Sequence, residues 1–165
     1  MQEIKIEELS LEAFNEFGTY KNTINPNTEH FGEDPVTFYR DMVQQDMGTK
    51  TVTSYSVCRV LPRDYEINIS EYHSHCSEGI LPLDNDILIH VAPGAQNGEL
   101  PVEKMRVFRI PQGTMVTLRP GVFHHAPWTC NNKVANTLIV LPIRTYANDC
   151  IVIEHDQSQK VKFSF

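Results

Sequence analysis

The stretch YEINISEYHSH, residues 65–75, indicates what kind of structure the chain adopts. Its residues alternate between apolar and polar, which is typical of a β-strand with one buried face. Alternation places five side chains on one face of the strand: Ile67, Ile69, Glu71, His73 and His75. The two isoleucines make this the inward face. We therefore expect the glutamate and the two histidines to point into a β structure, where each needs a polar partner.

Short runs that are rich in apolar and β-branched residues follow one another from residue 49 onward. The clearest are TKTVTSYSVCRVL (49–61), DILIHVAPG (86–94), MRVFRI (105–110), TMVTLRPG (114–121), ANTLIVLPI (135–143) and CIVIEH (150–155). Pro, Gly or Asn separates them at intervals of about ten residues, which predicts an all-β sandwich or closed barrel. The last run, KVKFSF (160–165), is expected to be an edge strand. We predict a single domain over residues 1–165, with the barrel at 49–165.

Residues 1–48 are expected to form a helical and loop lead-in to the barrel. EIKIE (3–7) predicts a short strand, and a helix should begin after the N-cap Ser10 and stop at Gly18. Residues 20–34 are rich in Asn, Pro, Thr and Gly and predict a loop. PVTFYRDMV (35–43) fits either a short helix or a strand.

Composition and charge narrow the classes of partner. The net charge of −7, with no lysine or arginine block, argues against nucleic acid and anionic membranes as ligands. A small molecule or another protein is expected instead. The amino terminus lacks the features of a signal peptide, and no apolar run reaches 18 residues, so we expect a cytoplasmic protein. The four cysteines form no C-x-x-C pair and are expected to be reduced thiols.

The histidines offer a candidate metal site. His73 and His75 are two residues apart, Glu78 follows after a turn, and LRPGVFHHAPW (118–128) adds a double histidine. Only one of its two imidazoles can point inward if that segment is extended. Three nitrogens and one oxygen around an open position form a common catalytic coordination set. The alternative is a metal-free network of hydrogen-bonded polar side chains. His30, His90 and His155 stand alone and are expected at the surface or in the core.

These motifs resemble those of the cupin superfamily, whose barrel is a double-stranded β-helix, or jelly roll. Its first motif joins H-x-H to a following glutamate, and HSHCSE (73–78) is similar but has a shorter spacing before the glutamate. Its second motif reads P-x-G-x-x-H, and PGVFH (120–124) lacks one residue of it. The resemblance implies a cupin-like fold.

A longer resemblance, to the ureidoglycolate lyases of allantoin degradation, covers almost the whole chain. The segments that carry it are LSLEAFNEFG (9–18), EYHSHCSEGILPL (71–83), MRVFRI (105–110), GVFHHAPW (121–128) and NDC (148–150). Three features depart from the family pattern. Ser74-His75 replaces Pro-Leu, Glu78 replaces a glutamine, and Arg119 replaces a histidine. Cys150 matches by position and is expected to be a packing thiol.

The resemblance implies a carbon–nitrogen lyase that splits ureidoglycolate into glyoxylate and urea. A base takes the hydroxyl proton, an acid protonates the leaving nitrogen, and a third group holds the carboxylate. We expect a divalent metal ion, if one is bound, at His73, His75, Glu78 and His124. Glu71 or His125 is the expected acid/base group.

Arg119 is the expected carboxylate clamp, because it sits beside the histidine turn and a guanidinium matches a carboxylate bidentately. Arg106 and Arg109 lie on opposite faces of their strand and are expected to be surface charges.

Two other functions are compatible with the sequence. Because His75 and Glu78 bring the site nearer to the usual cupin metal set, a metal-dependent isomerase or dioxygenase acting on another small hydroxy or keto acid is one alternative. A non-catalytic cupin that binds a small carboxylate is the other. In each case a homodimer is expected, since a partner subunit often covers the edge strands of small β domains.

Overall fold

The computed structural model describes residues 2–165, and most of its regular structure is β-strand. The strands are β1 (Gln2–Glu8), β2 (Gly18–Asn22), β3 (His30–Phe31), β4 (Phe38–Tyr39), β5 (Thr53–Val60), β6 (Glu66–Ile67), β7 (Ile69–Tyr72), β8 (Glu78–Pro82), β9 (Ile87–Val91), β10 (Arg106–Ile110), β11 (Thr114–Leu118), β12 (Trp128–Thr129), β13 (Ala135–Pro142), β14 (Ile151–Glu154) and β15 (Val161–Ser164). The helices are α1 (Leu11–Phe14) and α2 (Thr145–Asn148), with a 3₁₀ turn at Val102–Lys104. No helix in this part of the chain is both long and apolar enough to cross a membrane.

Two large sheets form the barrel. The first has the order β12-β9-β10-β1-β15-β6, and the second has the order β2-β11-β8-β13-β5. The main hydrophobic core lies between them, because it draws side chains from both sheets, such as Ile89 and Phe108 from the first and Val116 and Ile139 from the second. This arrangement confirms the predicted all-β fold.

The opposite face of the six-stranded sheet carries a second hydrophobic cluster. Leu88 on β9 belongs to this cluster, whereas its neighbours Ile87 and Ile89 point into the main core. Trp128 and Phe163 pack in the second cluster with ring centroids 5.0 Å apart. Both faces of the sheet are therefore buried, which explains why β9 is apolar at almost every position.

The amino-terminal segment contributes strands to both sheets, which differs from the predicted lead-in at residues 1–48. β1 lies inside the six-stranded sheet between β10 and β15, and β2 pairs with β11. Ser10 caps α1 as predicted, since its Oγ accepts from the Ala13 N–H at 3.1 Å. The helix ends at Phe14, however, and Gly18 begins a strand instead of stopping a helix.

Two further expectations for local structure need correction. β15 is not an edge strand, because β1 and β6 flank it on either side. Residues 20–34 are not all loop, since β2 extends to Asn22 and β3 pairs with β4 in a small hairpin. β4 also settles the ambiguous segment at 35–43 in favour of a short strand.

A buried hydrogen-bonded triad links three elements behind the barrel wall. The Ser70 Oγ lies 2.9 Å from the Nε2 atoms of both His90 and His155. His90 is completely buried, so burial lowers its pKa well below 6.5, and the positive charges of His124, His125, His155 and Arg63 lower it further. His90 and His155 are thus core residues, as predicted, and His90 is neutral in the folded protein.

Acid is expected to destabilise the fold through His90. Because its pKa is lowered on folding, the unfolded chain binds the extra proton, and stability falls as the pH drops below 6.5. Between pH 6.5 and about 5 the loss should be about 1.5 kcal/mol, measured by denaturant unfolding. His90→Gln should weaken this pH dependence, part of which comes from His155, whose pKa burial also lowers. His30→Gln, at an exposed position, should leave the pH dependence unchanged. An identical pH dependence in His90→Gln would contradict the prediction.

Candidate functional site

The turn between β7 and β8 carries the first half of the site. β7 ends at Tyr72 and β8 begins at Glu78, so residues 73–77 connect the small sheet of β7 and β14 to the five-stranded sheet. The loop before β5 holds this turn through two hydrogen bonds. The Ser77 N–H donates to the Asp46 carbonyl at 2.8 Å, and the Gln45 side chain donates to the Ser77 carbonyl at 3.0 Å. Gly48 has a φ of 60°, and a Cβ there would lie 2.2 Å from the His75 carbonyl oxygen. The turn is therefore held in one conformation.

Glu78 joins His73 and His124 in a buried cluster. Its Oε2 lies 2.9 Å from the His73 Nε2 and 3.0 Å from the His124 Nε2. The other ring nitrogens face backbone carbonyls, the His73 Nδ1 at 2.6 Å from Asp149 O and the His124 Nδ1 at 2.8 Å from Val122 O. A carbonyl can only accept, so each Nδ1 carries the proton. Both Nε2 atoms therefore point at the same carboxylate oxygen.

The electrostatics of this cluster keep Glu78 ionised. Burial alone would raise its pKa, but the charge of His124 and the hydrogen bonds from His124 and His73 lower it to about 2. For His124, burial alone would lower the pKa, but the Glu78 charge and hydrogen bond raise it to about 9. His124 is thus the inward member of the double histidine, which the sequence left open.

Glu71 completes the cluster from β7. It brings a carboxylate oxygen close to the two imidazoles. This oxygen lies within 4.8 Å of one nitrogen of His73 and one nitrogen of His124, and those two nitrogens lie within 4.8 Å of each other. The Glu71 backbone also pairs with that of His124, with N···O distances of 2.6 and 2.9 Å. The Cys150 thiol donates to Glu71 Oε2 at 3.3 Å. Cys150 therefore contacts the site instead of only packing, and burial raises the pKa of its thiol to about 12.

The expectation that His75 binds the metal with His73 is wrong. The side chain of His75 is 84% exposed, and its Nδ1 lies 3.1 Å from Asp149 Oδ1. It lines a cavity of about 350 Å³ on the outer side of the turn, which neither His73 nor Glu78 lines. Strand alternation does not reach this residue, because β7 ends three residues before it.

Ile67 also lies on the opposite face from the one predicted. It packs in the second hydrophobic cluster together with Tyr72. Asn68 interrupts the strand between β6 and β7, so the alternation restarts at Ile69. Glu71 keeps its predicted direction toward the site because it shares β7 with Ile69.

Asp149 is a part of the site that we did not predict from the sequence. Its carbonyl orients His73, and its carboxylate accepts from the backbone N–H groups of Ser74 at 2.8 Å and His75 at 2.9 Å. Burial would raise its pKa, but these hydrogen bonds and the His75 ring lower it. The only sequence signal was its place in the NDC segment beside Cys150.

Asp149→Ala is expected to destabilise the protein by about 1 to 3 kcal/mol, because two backbone N–H groups of a tight turn lose their acceptor. The free energy of unfolding, obtained from denaturant titration, measures this loss. Asp149→Asn keeps one side-chain oxygen and should recover part of the stability. A variant Asp149→Ala as stable as the wild type would show that the carboxylate does not hold the turn.

The remaining candidates divide between the site and the surface. His125 is half-buried, and burial lowers its pKa, while Glu71 opposes this shift and Arg63 adds to it. Arg119 does not reach the cluster, because it is exposed and its guanidinium donates to the Asn15 carbonyl. Arg106 pairs with Glu7, and Arg109 pairs with Glu8 and Asp86. These last two were expected to be surface charges, but both are half-buried and ion-paired.

Cys58, on β5, packs against the main hydrophobic core, and the charges of the site act on its thiol. Burial raises the pKa of its thiol, and the negative charges of Glu78 and Glu71 raise it further. The positive charge of Arg63 lowers it. All three charged groups therefore act on the same thiol. The alternation of β5 was the available signal, since Ser54, Ser56 and Cys58 are all half-buried between exposed neighbours.

The cluster fits a divalent metal ion by two criteria. The carbonyls of Asp149 and Val122 hold the Nδ1 protons, so the Nε2 atoms of His73 and His124 are the ones that face Glu78. A divalent ion would take the place of the protons that lie between these Nε2 atoms and the carboxylate. Ligands in adjacent positions about 2.1 Å from one ion lie about 3 Å apart. The Nε2–Oε2 distances of 2.9 and 3.0 Å match that spacing. Two imidazoles and one carboxylate form a ligand set with open positions for a substrate.

Comparisons with known proteins agree with the fold. A family model described as ureidoglycolate lyase matches residues 1–162. A dTDP sugar isomerase from Desulfovibrio desulfuricans G20 is 13% identical, with a TM-score of 0.53 over 86% of this chain and 87% of that one.

Two more distant structural matches are oxalate decarboxylases. The enzyme from Bacillus subtilis is 12% identical with a TM-score of 0.42, over 62% of this chain and 24% of that one. The enzyme from Lactobacillus farciminis is 14% identical with a TM-score of 0.44, over 71% of this chain and 35% of that one. This chain thus spans only about a quarter to a third of either decarboxylase. No curated protein matches the chain significantly. The predicted cupin-like fold is confirmed.

Proposed function

Because the chain belongs to the ureidoglycolate lyase family, we propose that it cleaves ureidoglycolate to glyoxylate and urea. The observation that carries this proposal is the buried Glu78 carboxylate shared by His73 and His124, with Glu71 beside them. A cluster of two imidazoles and two carboxylates can bind a small hydroxy acid and transfer one proton. The reaction would place the protein in the breakdown of allantoin, the purine nitrogen pathway that the resemblance implies.

Glu71 is the proposed proton carrier. The substrate carbon bears a hydroxyl, a carboxylate and a urea nitrogen. Glu71 takes the hydroxyl proton, the O–H electron pair forms the new carbonyl, and the carbon–nitrogen pair leaves with the urea nitrogen. That nitrogen then takes the proton back from Glu71, so the step is balanced without another reactant. The Cys150 thiol, 3.3 Å away, orients the carboxylate. His125 is the alternative acid/base group.

His73, Glu78 and His124 would hold the divalent metal ion. When bound, the ion would supply Lewis acidity that lowers the pKa of the substrate hydroxyl. The chain prepares this position by fixing both imidazoles from behind, through the carbonyls of Asp149 and Val122. Such outer hydrogen bonds set the tautomer and direction of a metal-binding histidine.

Release of urea and glyoxylate in equal amounts from ureidoglycolate, by purified protein, tests the proposed function. Glu71→Gln should lose most of this turnover, because the amide cannot accept the proton. His125→Asn serves as the comparison, and a larger loss there would transfer the acid/base role to His125. Absence of urea from the wild-type reaction would reject ureidoglycolate and favour another small hydroxy or keto acid as the substrate.

We also propose that the protein is a homodimer that pairs along β5. This strand ends the five-stranded sheet, and its outer face exposes Tyr55 and Val57, with Leu61 just beyond. An exposed apolar edge strand favours pairing with a second copy. Light scattering should give the mass of a dimer for the wild type and of a monomer for Val57→Lys. A monomeric wild type would contradict this proposal.

A further inference from the structure

Gln45 lies on the loop between β4 and β5, and its half-buried side chain reaches the sheet that carries Glu78. Its Nε2 donates to the Ser77 carbonyl at 3.0 Å and to the Val140 carbonyl at 2.7 Å. One amide group thus uses both of its N–H donors, one toward the start of β8 and the other toward β13. The side chain therefore ties the start of β8 to its neighbouring strand.

The two carbonyls lie where the pairing of β8 with β13 ends. The last pair of that ladder is Gly79 with Val140, one residue short of Glu78. On its other side, Glu78 pairs with Leu118 of β11. The Gln45 amide therefore supplies hydrogen bonds at the point where the ladder stops and the buried carboxylate begins.

The hydrogen bond to Ser77 fixes the peptide group that leads into Glu78. The Ser77 carbonyl and the Glu78 N–H belong to one planar unit, so a donor bound to that oxygen restricts rotation of the unit. The N–H of Ser77 is held as well, because it donates to the Asp46 carbonyl at 2.8 Å. A rotation here would move the Glu78 carboxylate away from the two imidazole nitrogens that lie 2.9 and 3.0 Å from it.

Gly79 makes room for the Gln45 amide. A Cβ at position 79 would lie 2.6 Å from the Gln45 Oε1 and 2.6 Å from the Met115 methyl carbon, which is closer than side chains approach. Gly79 is buried and directly follows Glu78, so strand alternation puts the amide on the face opposite to the Glu78 carboxylate. The lack of a side chain at position 79 therefore lets Gln45 pack against the backbone of β8.

We propose that Gln45 is a positioning residue, which holds the start of β8 so that the Glu78 carboxylate stays between His73 and His124. The inference rests on the proposed function, because this placement of Glu78 serves the proposed reaction. Gln45 acts through the backbone of β8, from the face opposite to the reacting groups. Such outer hydrogen bonds keep the groups of a site in the geometry that the reaction needs.

Gln45→Ala should lower turnover of ureidoglycolate about 10- to 100-fold, the usual effect of losing an outer partner of a site. Gln112→Ala is the matched control. The Gln112 Nε2 donates to the Leu83 carbonyl at 3.0 Å, just beyond the other end of β8. The control variant therefore removes the same kind of hydrogen bond far from Glu78 and should keep the turnover of the wild type.

The ring N–H protons report the position of Glu78 without any turnover. In chelator-treated wild-type protein, the Nε2 protons of His73 and His124 lie between the buried rings and Glu78, and the Nδ1 protons face backbone carbonyls. All four should give proton NMR signals that are protected from exchange with water. In Gln45→Ala the two Nε2 signals should be lost and the two Nδ1 signals should remain. The control variant should keep all four.

Gly79→Ala tests the same contact from the other side, because the new methyl group displaces the Gln45 amide. It should reduce turnover in the wild-type background. In the Gln45→Ala background it should cost less, since the amide is already gone and the two changes share one contact. Equal costs in both backgrounds would overturn the inference.

Three other results would also overturn it. These are all four ring signals in a folded Gln45→Ala protein, the absence of the Nε2 signals from the wild type, and equal losses in Gln112→Ala. If Gln45→Ala fails to fold, Gln45→Asn decides, because its amide is one methylene shorter and cannot reach both carbonyls. Lost Nε2 signals in Gln45→Asn support the inference, and unchanged signals overturn it.

The inference and the proposed function fail in different ways. Nε2 signals that depend on Gln45, in a protein that releases no urea from ureidoglycolate, would reject the lyase activity and keep the positioning role. Urea release that Gln45→Ala leaves unchanged would keep the lyase and reject the positioning role.

Discussion

Glu78→Gln is expected to reduce turnover of ureidoglycolate at least about 100-fold and to lower the bound metal well below one ion per chain. Changes to groups that only orient a metal ligand cost about 10- to 100-fold. Glu78 is proposed to be a ligand itself, and it is the shared partner of both imidazoles at 2.9 and 3.0 Å. The amide keeps the size of the side chain but removes its charge. Initial rates and elemental analysis of the purified variant measure the two losses.

Glu154→Gln is the matched control for this prediction, because Glu154 is an exposed carboxylate on β14. It should keep both turnover and metal content. Near-ultraviolet circular dichroism distinguishes lost chemistry from lost folding in either variant. Wild-type activity in a folded Glu78→Gln protein would remove Glu78 from the site.

Removal of the metal by a chelator is expected to abolish turnover, and a divalent ion should restore it. The physical reason is that the two imidazoles and Glu78 are spaced as neighbouring ligands of one ion. A bound ion also stabilises the folded chain, by about 2.7 kcal/mol when its free concentration is 100 times its dissociation constant. The thermal midpoint should therefore rise on reloading, independently of activity.

His73→Ala gives the control for the chelation experiment, because a protein without this ligand should gain little thermal stability from added metal. Its turnover should be abolished while its fold stays intact. Turnover that is indifferent to chelation would keep the lyase and assign the histidines to acid/base work without a metal. In that case both Nε2 atoms would carry protons and donate to Glu78.

The fold was predictable because alternation along each strand is a local property. The runs at 86–94, 105–110 and 135–143 became β9, β10 and β13, since each is apolar on the face that meets the core. The role of the amino terminus was not predictable in this way. β1 pairs with β10 and β15, about 100 and 160 residues away. No local pattern specifies such a partner.

The direction of a site residue was predictable only where that residue lies within a strand. Glu71 lies on β7, and its direction followed from alternation, but His75 lies beyond the end of that strand and turned outward. The contribution of Asp149 depends on contacts 74 to 76 residues apart in the sequence.

The pairing of β1 with β15 has a consequence for synthesis on the ribosome. Gln2 is in register with Val161 and Ile4 with Phe163, so β1 leaves the exit tunnel about 160 residues before the strand with which it pairs. Until β15 has emerged, only β10 is available to pair with β1, so one edge of β1 has no partner. Contacts of such long sequence separation also slow folding. The six-stranded sheet therefore closes only after residue 164 has emerged, and protection of the nascent chain by a chaperone would matter most before that moment.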